Sequence, residues 1–538
     1  MKKQVLTDAR QCDVIVIGTG IAGVVAAIAA AKQGQDVILC SGSQMFSGSS
    51  FYPGTWGLGV IAPEDRSDEE DLAETILKVG CHMADEQMVR CFVSDLLPTM
   101  NWLEELGIKF MEAGHADERE FIPCFDHKHR RWRGLLADNA RETFTRVMSH
   151  LPIRQMPGYE VIELVEKNQK ITGVIASHSQ KGIGYTQCKA CVLATGGYAG
   201  LYGRRLTASD VCGTGQYLAL MHGAALVNME YMQMMPGYTW PCSNTVFNEK
   251  TFRYVRMKEC TNQKLLEQRS GYGPFTSRLA SAEIDYILAR GEAEGTQIQY
   301  ITSLKENMPE FVRTYFDWLA KEKHVTPWEP MRIQMFAHAA NGGIKIDENG
   351  FTGKKGLYAC GEVTGGMHGA DRIGGLSTAN GFVFGKRAGE AAAEYAAEQT
   401  IEYVEEQAVG KLEFDMWAFD DPDGIRKQLQ ELMTKAAFVI RTENQLNYAI
   451  KEIEKLTGCK KKEYIADGKQ VMESRKVQGQ MVLALGILRA ELLRKESRGS
   501  HYREDYPKEN VQFQKRILIN QTNGITDVHF EGEVNVQK

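Results

Sequence analysis

The sequence predicts an α/β chain. A doubly wound, Rossmann-type domain comes in two pieces, an α+β capping domain is inserted between them, and a helical domain follows. Three observations carry this. An apolar run, Asp13–Ile17, leads into Gly18-Thr-Gly20-Ile-Ala-Gly23 and an alanine-rich run, Val24–Ala31. From Met229 to Met335 the periodicity gives way to mixed prolines, aromatics and charges, then an apolar strand and helix return at 356–396. Beyond residue 405, apolar positions fall at helical spacing.

The first element is the strongest. Gly18 suits a tight turn, Gly20 lets backbone approach a pyrophosphate, and Gly23 lets helix and strand pack closely. A second strand at 36–40 completes the βαβ pattern, which predicts dinucleotide binding at the positive end of the helix. Residues 68–107 carry helical spacing at Leu72, Ile76, Val79, Val93, Leu97 and Trp102. Residues 159–177 predict paired strands, 190–193 a buried strand, and 216–222 a helix. In the C-terminal third, Leu446, Ile450, Ile453 and Leu456 share one face, as do Leu485, Leu488 and Leu492. A helical bundle is expected there. The expected division is 1–228 and 342–404 for the two-piece domain, 229–341 for the cap and 405–538 for the bundle.

The 538 residues leave room for about three or four domains. With 63 basic and 69 acidic residues, the net charge of −6 gives no electrostatic case for nucleic acid or an anionic membrane. Polar residues run straight into the first strand without a secretory apolar stretch, and no apolar run reaches membrane-spanning length. A cytoplasmic location without membrane insertion is expected. The 12 cysteines are scattered, apart from Cys188-Lys-Ala-Cys191 on a predicted strand. Lacking a second pair or flanking histidines, that pair reads as structural thiols, and the absence of Cys-x-x-Cys-His excludes covalent c-type haem. The methionines at 229, 232, 234 and 235 read as packing rather than a metal box. The run Lys460–Lys462 reads as a solvated end. No metal site is predicted.

The second strand reads Val37-Ile-Leu-Cys40-Ser41, without the acid that reads a ribose in simple NAD binders. Three glycine-rich stretches point instead to one extended cofactor. They are Phe46–Gly57, Ala194-Thr195-Gly196-Gly197, and Gly361-Glu362 with Gly374-Gly375-Leu-Ser377.

With these motifs in order, the chain resembles the flavoprotein subunits of succinate dehydrogenase and fumarate reductase, together with L-aspartate oxidase. The resemblance spans most of the chain. It rests on Gly18–Gly23, Ser41, the Ser49-Ser50-Phe51-Tyr52 loop, Ala194–Gly197, His338-Ala-Ala-Asn-Gly342-Gly343, Gly361-Glu362, His368-Gly-Ala-Asp-Arg372 and the tail Ser497–Pro507. It implies FAD as cofactor, with contacts from Gly18, Thr19, Gly20, Ile21, Ala22 and Gly23, from Ser41 and Gly42, from Ser49, Ser50, Phe51 and Gly57, and from Thr195, Gly196, Glu362 and Ser377. Respiratory members attach FAD to a histidine of the loop. Ser49 stands at about that place, so noncovalent FAD is expected. Where the family often has an acid, this chain reads Cys212-Gly-Thr214-Gly215.

The resemblance also implies hydride transfer between flavin and a carbon next to a carboxylate. Arg372 matches the carboxylate-binding arginine, whose planar fork suits bidentate contact. The residue chemistry alone leaves open an ion pair with Asp371. His338 matches a substrate-binding histidine. The family's second histidine falls at Met235, which cannot donate a hydrogen bond to a carboxylate. This suggests an acid whose far end is apolar or bulky. The proton-shuttling arginine belongs in 274–285, where Arg278 is the arginine present; Tyr238, Glu283 and Arg253 are alternatives.

Three functions are compatible. The first is FAD-dependent reduction of a 2-enoate, or its reverse. The second is L-aspartate oxidation to iminoaspartate. The third is a flavin-bearing electron-transfer subunit without its own substrate. Expected partners are a small carboxylate substrate and an external electron donor or acceptor, which could be an electron-transfer subunit, since the sequence carries no iron–sulfur cysteine motif.

Overall fold

A computed structural model describes residues 8–111, 131–270, 282–401, 418–458, 468–522 and 525–533. At its centre is a five-stranded parallel sheet. The strand order is Leu357–Ala359, Ala190–Leu193, Val14–Ile17, Val37–Ser41, Ile153–Pro157. The strands from Val14 to Ile17 and from Val37 to Ser41 are buried throughout, which explains their unbroken apolar runs. The edge strand at 357–359 pairs with 191–193, so the chain does re-enter this sheet after the insertion.

Helix Ile21–Lys32 follows the glycine turn and is buried on nearly every side, so its sequence is alanine-rich rather than amphipathic. Against it lies helix Leu376–Ala397 from the returning piece. Their approach is close because of glycine. A Cβ at Gly389 would fall 2.3 Å from the Ala26 carbonyl oxygen, and one at Gly385 would fall 2.8 Å from that of Ala22.

A four-stranded sheet flanks the core in the order Asp8–Gln11, Gly182–Gln187, Lys170–His178, Tyr159–Lys167. The expected paired strands at 159–177 are its last two members. The expected helices between 68 and 107 are Glu69–Val79 and Glu86–Leu106, broken by a turn at Gly80–Asp85.

The insertion is a five-stranded antiparallel sheet with helices. The strand order is Thr245–Val246, Met232–Trp240, Met331–Ala340, Thr296–Tyr300, Val255–Met257. Helix Glu310–Lys323 packs its Phe311, Val312, Tyr315, Phe316 and Leu319 face inward. The C-terminal part holds helices Pro422–Ala436, Glu443–Thr457 and Gly468–Leu493. It also holds something the helical spacing did not announce. A hairpin, Ile517–Thr522 and Ile525–Phe530, joins a sheet with Leu226–Val227, Gly343–Lys345 and Thr364–Gly365. The last strands thus stitch the C-terminal part to both pieces of the nucleotide domain.

Cys188 and Cys191 are buried free thiols, and burial raises the pKa of both above the ordinary thiol range. Met229, Met232 and Met234 are buried in the core. No group of three or more metal-ligating side chains occurs among the described residues. Among the same residues no helix is long and apolar enough to cross a membrane. Lys460–Lys462 lie outside the described residues.

Candidate active site

A cavity of about 920 Å³ opens where the parallel strands end and the cap covers them. Such a crevice beyond the carboxyl ends of the strands is where α/β sheets bind ligands. Its floor is the glycine turn. Gly18 has φ +115°, and a Cβ there would stand 2.2 Å from the Ala194 carbonyl oxygen, so only glycine fits. Thr19, Gly20, Ile21 and Ala22 line the cavity at the start of helix Ile21–Lys32. The first turn of this helix carries no acidic residue, which leaves its positive end available to an anion. Ser50 Oγ accepts the Ile21 N–H at 3.3 Å there.

Gly23 is a partial exception among the expected contacts. It does not line the cavity; a Cβ on it would fall 1.9 Å from the Gly18 carbonyl oxygen, so its place is helix-to-turn packing. The remaining expected cofactor residues, Ser41, Gly42, Ser49, Ser50, Phe51, Gly57, Thr195, Gly196, Glu362 and Ser377, all line the cavity. Ser41 also shapes its own turn, accepting the Ser43 N–H at 3.2 Å. Glu362 reaches across, with Oε1 accepting the Ala340 N–H at 2.9 Å and Oε2 accepting from Ser49 Oγ at 3.5 Å. Burial pushes its carboxyl above the usual range, while the Ala340 N–H and the nearby Arg372 charge pull it down. These residues form a trough from Gly42 past the helix terminus to Ser377, lined by glycine where backbone must come close. The trough fits an extended dinucleotide.

Beyond Ser377 the same cavity reaches Arg372 and His338. Arg372 is only 7% exposed and its guanidinium is held in place. Nη2 donates to Gln233 Oε1 at 2.7 Å and Nη1 to the Ile373 carbonyl at 3.2 Å. Gln233 Nε2 in turn donates to Asp371 Oδ1 at 2.7 Å and to the Arg372 carbonyl at 3.1 Å. Asp371 Oδ1 also accepts the Arg372 N–H at 3.0 Å.

The loop that carries Arg372 rests on the tail motif. Ser500 donates through both its N–H and Oγ to the Ala370 carbonyl, each at 2.9 Å. Two motifs more than a hundred residues apart in the chain therefore meet beneath one side chain.

His338 owes its position to a β-bulge. On strand Met331–Ala340, Ala339 pairs with Gln233 and Ala337 with Met234, so the register steps over His338. The bulge turns His338 towards the cavity that Arg372 lines. Met235 is half-buried on the facing strand and lines the cavity as well. His368, in the same loop as Arg372, is 6% exposed, and burial together with the Arg372 charge lowers its pKa to about 3.

Arg278 lies outside the described residues. None of its three alternatives lines the cavity. Tyr238 is buried with its hydroxyl 3.1 Å from that of Tyr315, Arg253 Nε donates to Ser270 Oγ at 2.9 Å, and Glu283 is exposed at a helix start. Other residues, which their motifs did not single out, do line it, among them Gln233, Glu160, Asp210, Trp318 and Glu249, as does Trp56 of the Phe46–Gly57 loop. Glu249 accepts from the buried Arg269 at 2.5 Å, and that arginine also reaches Asp285 at 2.9 Å. For Glu160 the sequence held one signal: the acid missing from the end of the second strand leaves a place for a carboxylate from elsewhere.

Known proteins place this architecture. The family model described as an FAD binding domain matches residues 13–252 and 282–378, and the one described as fumarate reductase flavoprotein C-term matches 426–537. The chain is 27% identical to one subunit of the fumarate reductase (CoM/CoB) of Methanothermobacter marburgensis, covering 95% of this chain and 97% of that one. It is 24% identical to L-aspartate oxidase of Vibrio cholerae over 95% and 98% of the two chains. In fold it matches a mutant of the E. coli quinol fumarate reductase FrdA chain, with a TM-score of 0.80, 22% identity and 97% of both chains covered. The chain belongs to the FAD-binding family that contains the fumarate reductase flavoproteins and L-aspartate oxidase, and it is an FAD-dependent oxidoreductase.

Proposed function

We propose that the protein reduces the carbon–carbon double bond beside a carboxylate, or forms it in the reverse direction. The observation that carries this reading is the shared cavity of Arg372, His338 and the dinucleotide trough. Bound flavin supplies the two electrons as hydride chemistry. Arg372 grips the substrate carboxylate with its planar fork, and Gln233 and Asp371 hold that fork at a fixed angle. His338 makes the second contact to the acid. Burial and the Arg372 charge keep His368, in the same loop, neutral, so Arg372 rather than His368 supplies the positive charge of that loop. The proton for the second carbon is assigned to Arg278, on the family resemblance alone. The cofactor is held noncovalently, with Ser49 facing Glu362 in the loop. Electrons come from an external donor or a partner subunit.

Met235 weighs against L-aspartate oxidation, because both carboxylates of aspartate need polar partners and a thioether in the wall offers none. It weighs equally against fumarate.

Stopped-flow reoxidation of the reduced holoenzyme by a panel of 2-enoic acids tests the reading. At least one acid should reoxidise the flavin, and Arg372→Ala should slow that step by several hundredfold. A panel without a single oxidant, or full speed in Arg372→Ala, contradicts it. Turnover of L-aspartate, or a partnered complex indifferent to Arg372→Ala, would support the aspartate oxidase or electron-transfer alternatives instead.

A further inference from the structure

Part of the wall of the cavity that Arg372 lines is aromatic. Gln233, which holds Arg372, and Met235 are two residues apart on strand Met232–Trp240 and so point to the same side. At a strand rise of about 3.3 Å per residue, Met235 stands roughly 7 Å beyond Gln233. Phe247 is tied to the same strand by its N–H to the Pro236 carbonyl at 3.1 Å. Trp56 meets Tyr315 edge-on at 5.7 Å between centroids, and Tyr315 stacks on Trp318 at 6.1 Å. All five of these side chains line the cavity, with Trp56, Met235 and Trp318 half-buried at its surface and Phe247 and Tyr315 behind them. The Tyr315 hydroxyl is engaged by Tyr238, Val246 and Asn248, so its ring rather than its polar tip is presented. Lys323 at the same wall is held by the Pro53 carbonyl and lies over the Trp318 ring at 5.3 Å.

We propose that the acid carries an aryl group on the carbon distal to its carboxylate: a 3-aryl-2-enoate, or the 3-arylpropanoate in the reverse direction. The inference rests on the proposed function. The distance from Gln233 to Met235 suits a ring separated from a carboxylate by two carbons, and flat aromatic walls favour a flat ring by edge and face contacts. The reaction balances as the loss of one C=C π bond and the gain of two C–H bonds. One hydrogen arrives as hydride from reduced flavin and the other as a proton, with the flavin oxidised and the acid reduced.

Titration of the oxidised holoenzyme with saturated acids, followed by calorimetry and by flavin absorbance, tests this at the level of binding. 3-Phenylpropanoate should bind at least about tenfold more tightly than butanoate or succinate. Trp318→Leu should collapse the ratio between 3-phenylpropanoate and butanoate, and Met235→His should shift the preference towards succinate. Butanoate or succinate binding as tightly as the aryl acid overturns the aryl inference and leaves the carboxylate site intact. Failure of every acid to bind, or acid binding left unchanged by Arg372→Ala, overturns the proposed function as well.

A separate observation concerns the adenosine end of the trough. The second strand, Val37–Ser41, ends without an acid, yet a carboxylate stands there. Glu160 comes from strand Tyr159–Lys167 of the flanking sheet and lies directly over Gly42, where a Cβ would fall 1.8 Å from its Oε2. Glu160 lines the cavity beside Ser41 and Gly42, and Lys476 of helix Gly468–Leu493 fixes it at 3.3 Å. We infer that Glu160 accepts the ribose hydroxyls of the AMP half of FAD, the task of the strand-end acid in simpler nucleotide domains. Fluorescence titration of the apoprotein tests it. Glu160→Ala should weaken FAD about tenfold and leave FMN, which lacks the AMP half, unchanged. An unchanged FAD affinity, or equal losses for FAD and FMN, overturns the assignment.

Discussion

Arg372 Nη2 lies 2.7 Å from Gln233 Oε1, and this contact fixes the guanidinium at the far end of the trough. Gln233 is buried on a cap strand while Arg372 sits in a loop of the returning piece. Cap and nucleotide domain therefore share responsibility for the angle of the guanidinium.

Gln233→Ala should lower kcat/KM for the acid substrate roughly 10- to 100-fold, the worth of a hydrogen bond to a buried charge. Flavin content should stay at the wild-type level. Steady-state kinetics with flavin quantitation checks both.

Packing of the two helices at Gly389 allows no side chain, since the atom met at 2.3 Å is backbone of Ala26. Gly389→Ala should destabilise the protein by roughly 1–3 kcal/mol. A fall in the urea midpoint measures it.

His368 has a folded-state pKa of about 3, lowered by burial and by Arg372. An unfolded histidine titrates near about 6.5. Between these values the unfolded chain binds a proton that the folded chain refuses, so the His368 contribution is present above about pH 6.5 and is lost as pH falls. The slope approaches about 1.4 kcal/mol per pH unit. The difference in stability between wild type and His368→Gln, measured by denaturant melts at pH 7.5 and pH 5.5, should therefore shift against the wild type at the lower pH.

Noncovalent FAD predicts that acid precipitation releases all flavin into the supernatant. Yellow protein pellets that keep their flavin through washing would contradict the place given to Ser49.

Much of the fold was legible because it was local. The strand, glycine turn and alanine-rich helix at 13–31 are fixed by their own spacing, and the strand at 190–193 by its apolar run. The C-terminal hairpin was less so. Asn523-Gly524 between two apolar-rich runs is a turn signal, but the helical spacing upstream dominates that region. The site divides in the same way. Arg372 and His338 stand in recognisable motifs. Gln233, a lone amide on a strand, carries no signal until the sheet brings it to Arg372. Glu160 serves the end of a different strand, so its role depends on which strands are neighbours. The bulge that turns His338 is a register shift between two strands far apart in the chain, and it leaves no mark on either sequence alone.

Whether Arg372 and His338 grip an acid group at the end of the dinucleotide trough is decided by a crystal structure of the holoenzyme with 3-phenylpropanoate. The carboxylate should sit on the Arg372 guanidinium and within reach of His338, with the ring against Met235 and Trp318. A carboxylate bound elsewhere in the cavity, or an Arg372 side chain turned away from the ligand, contradicts that grip.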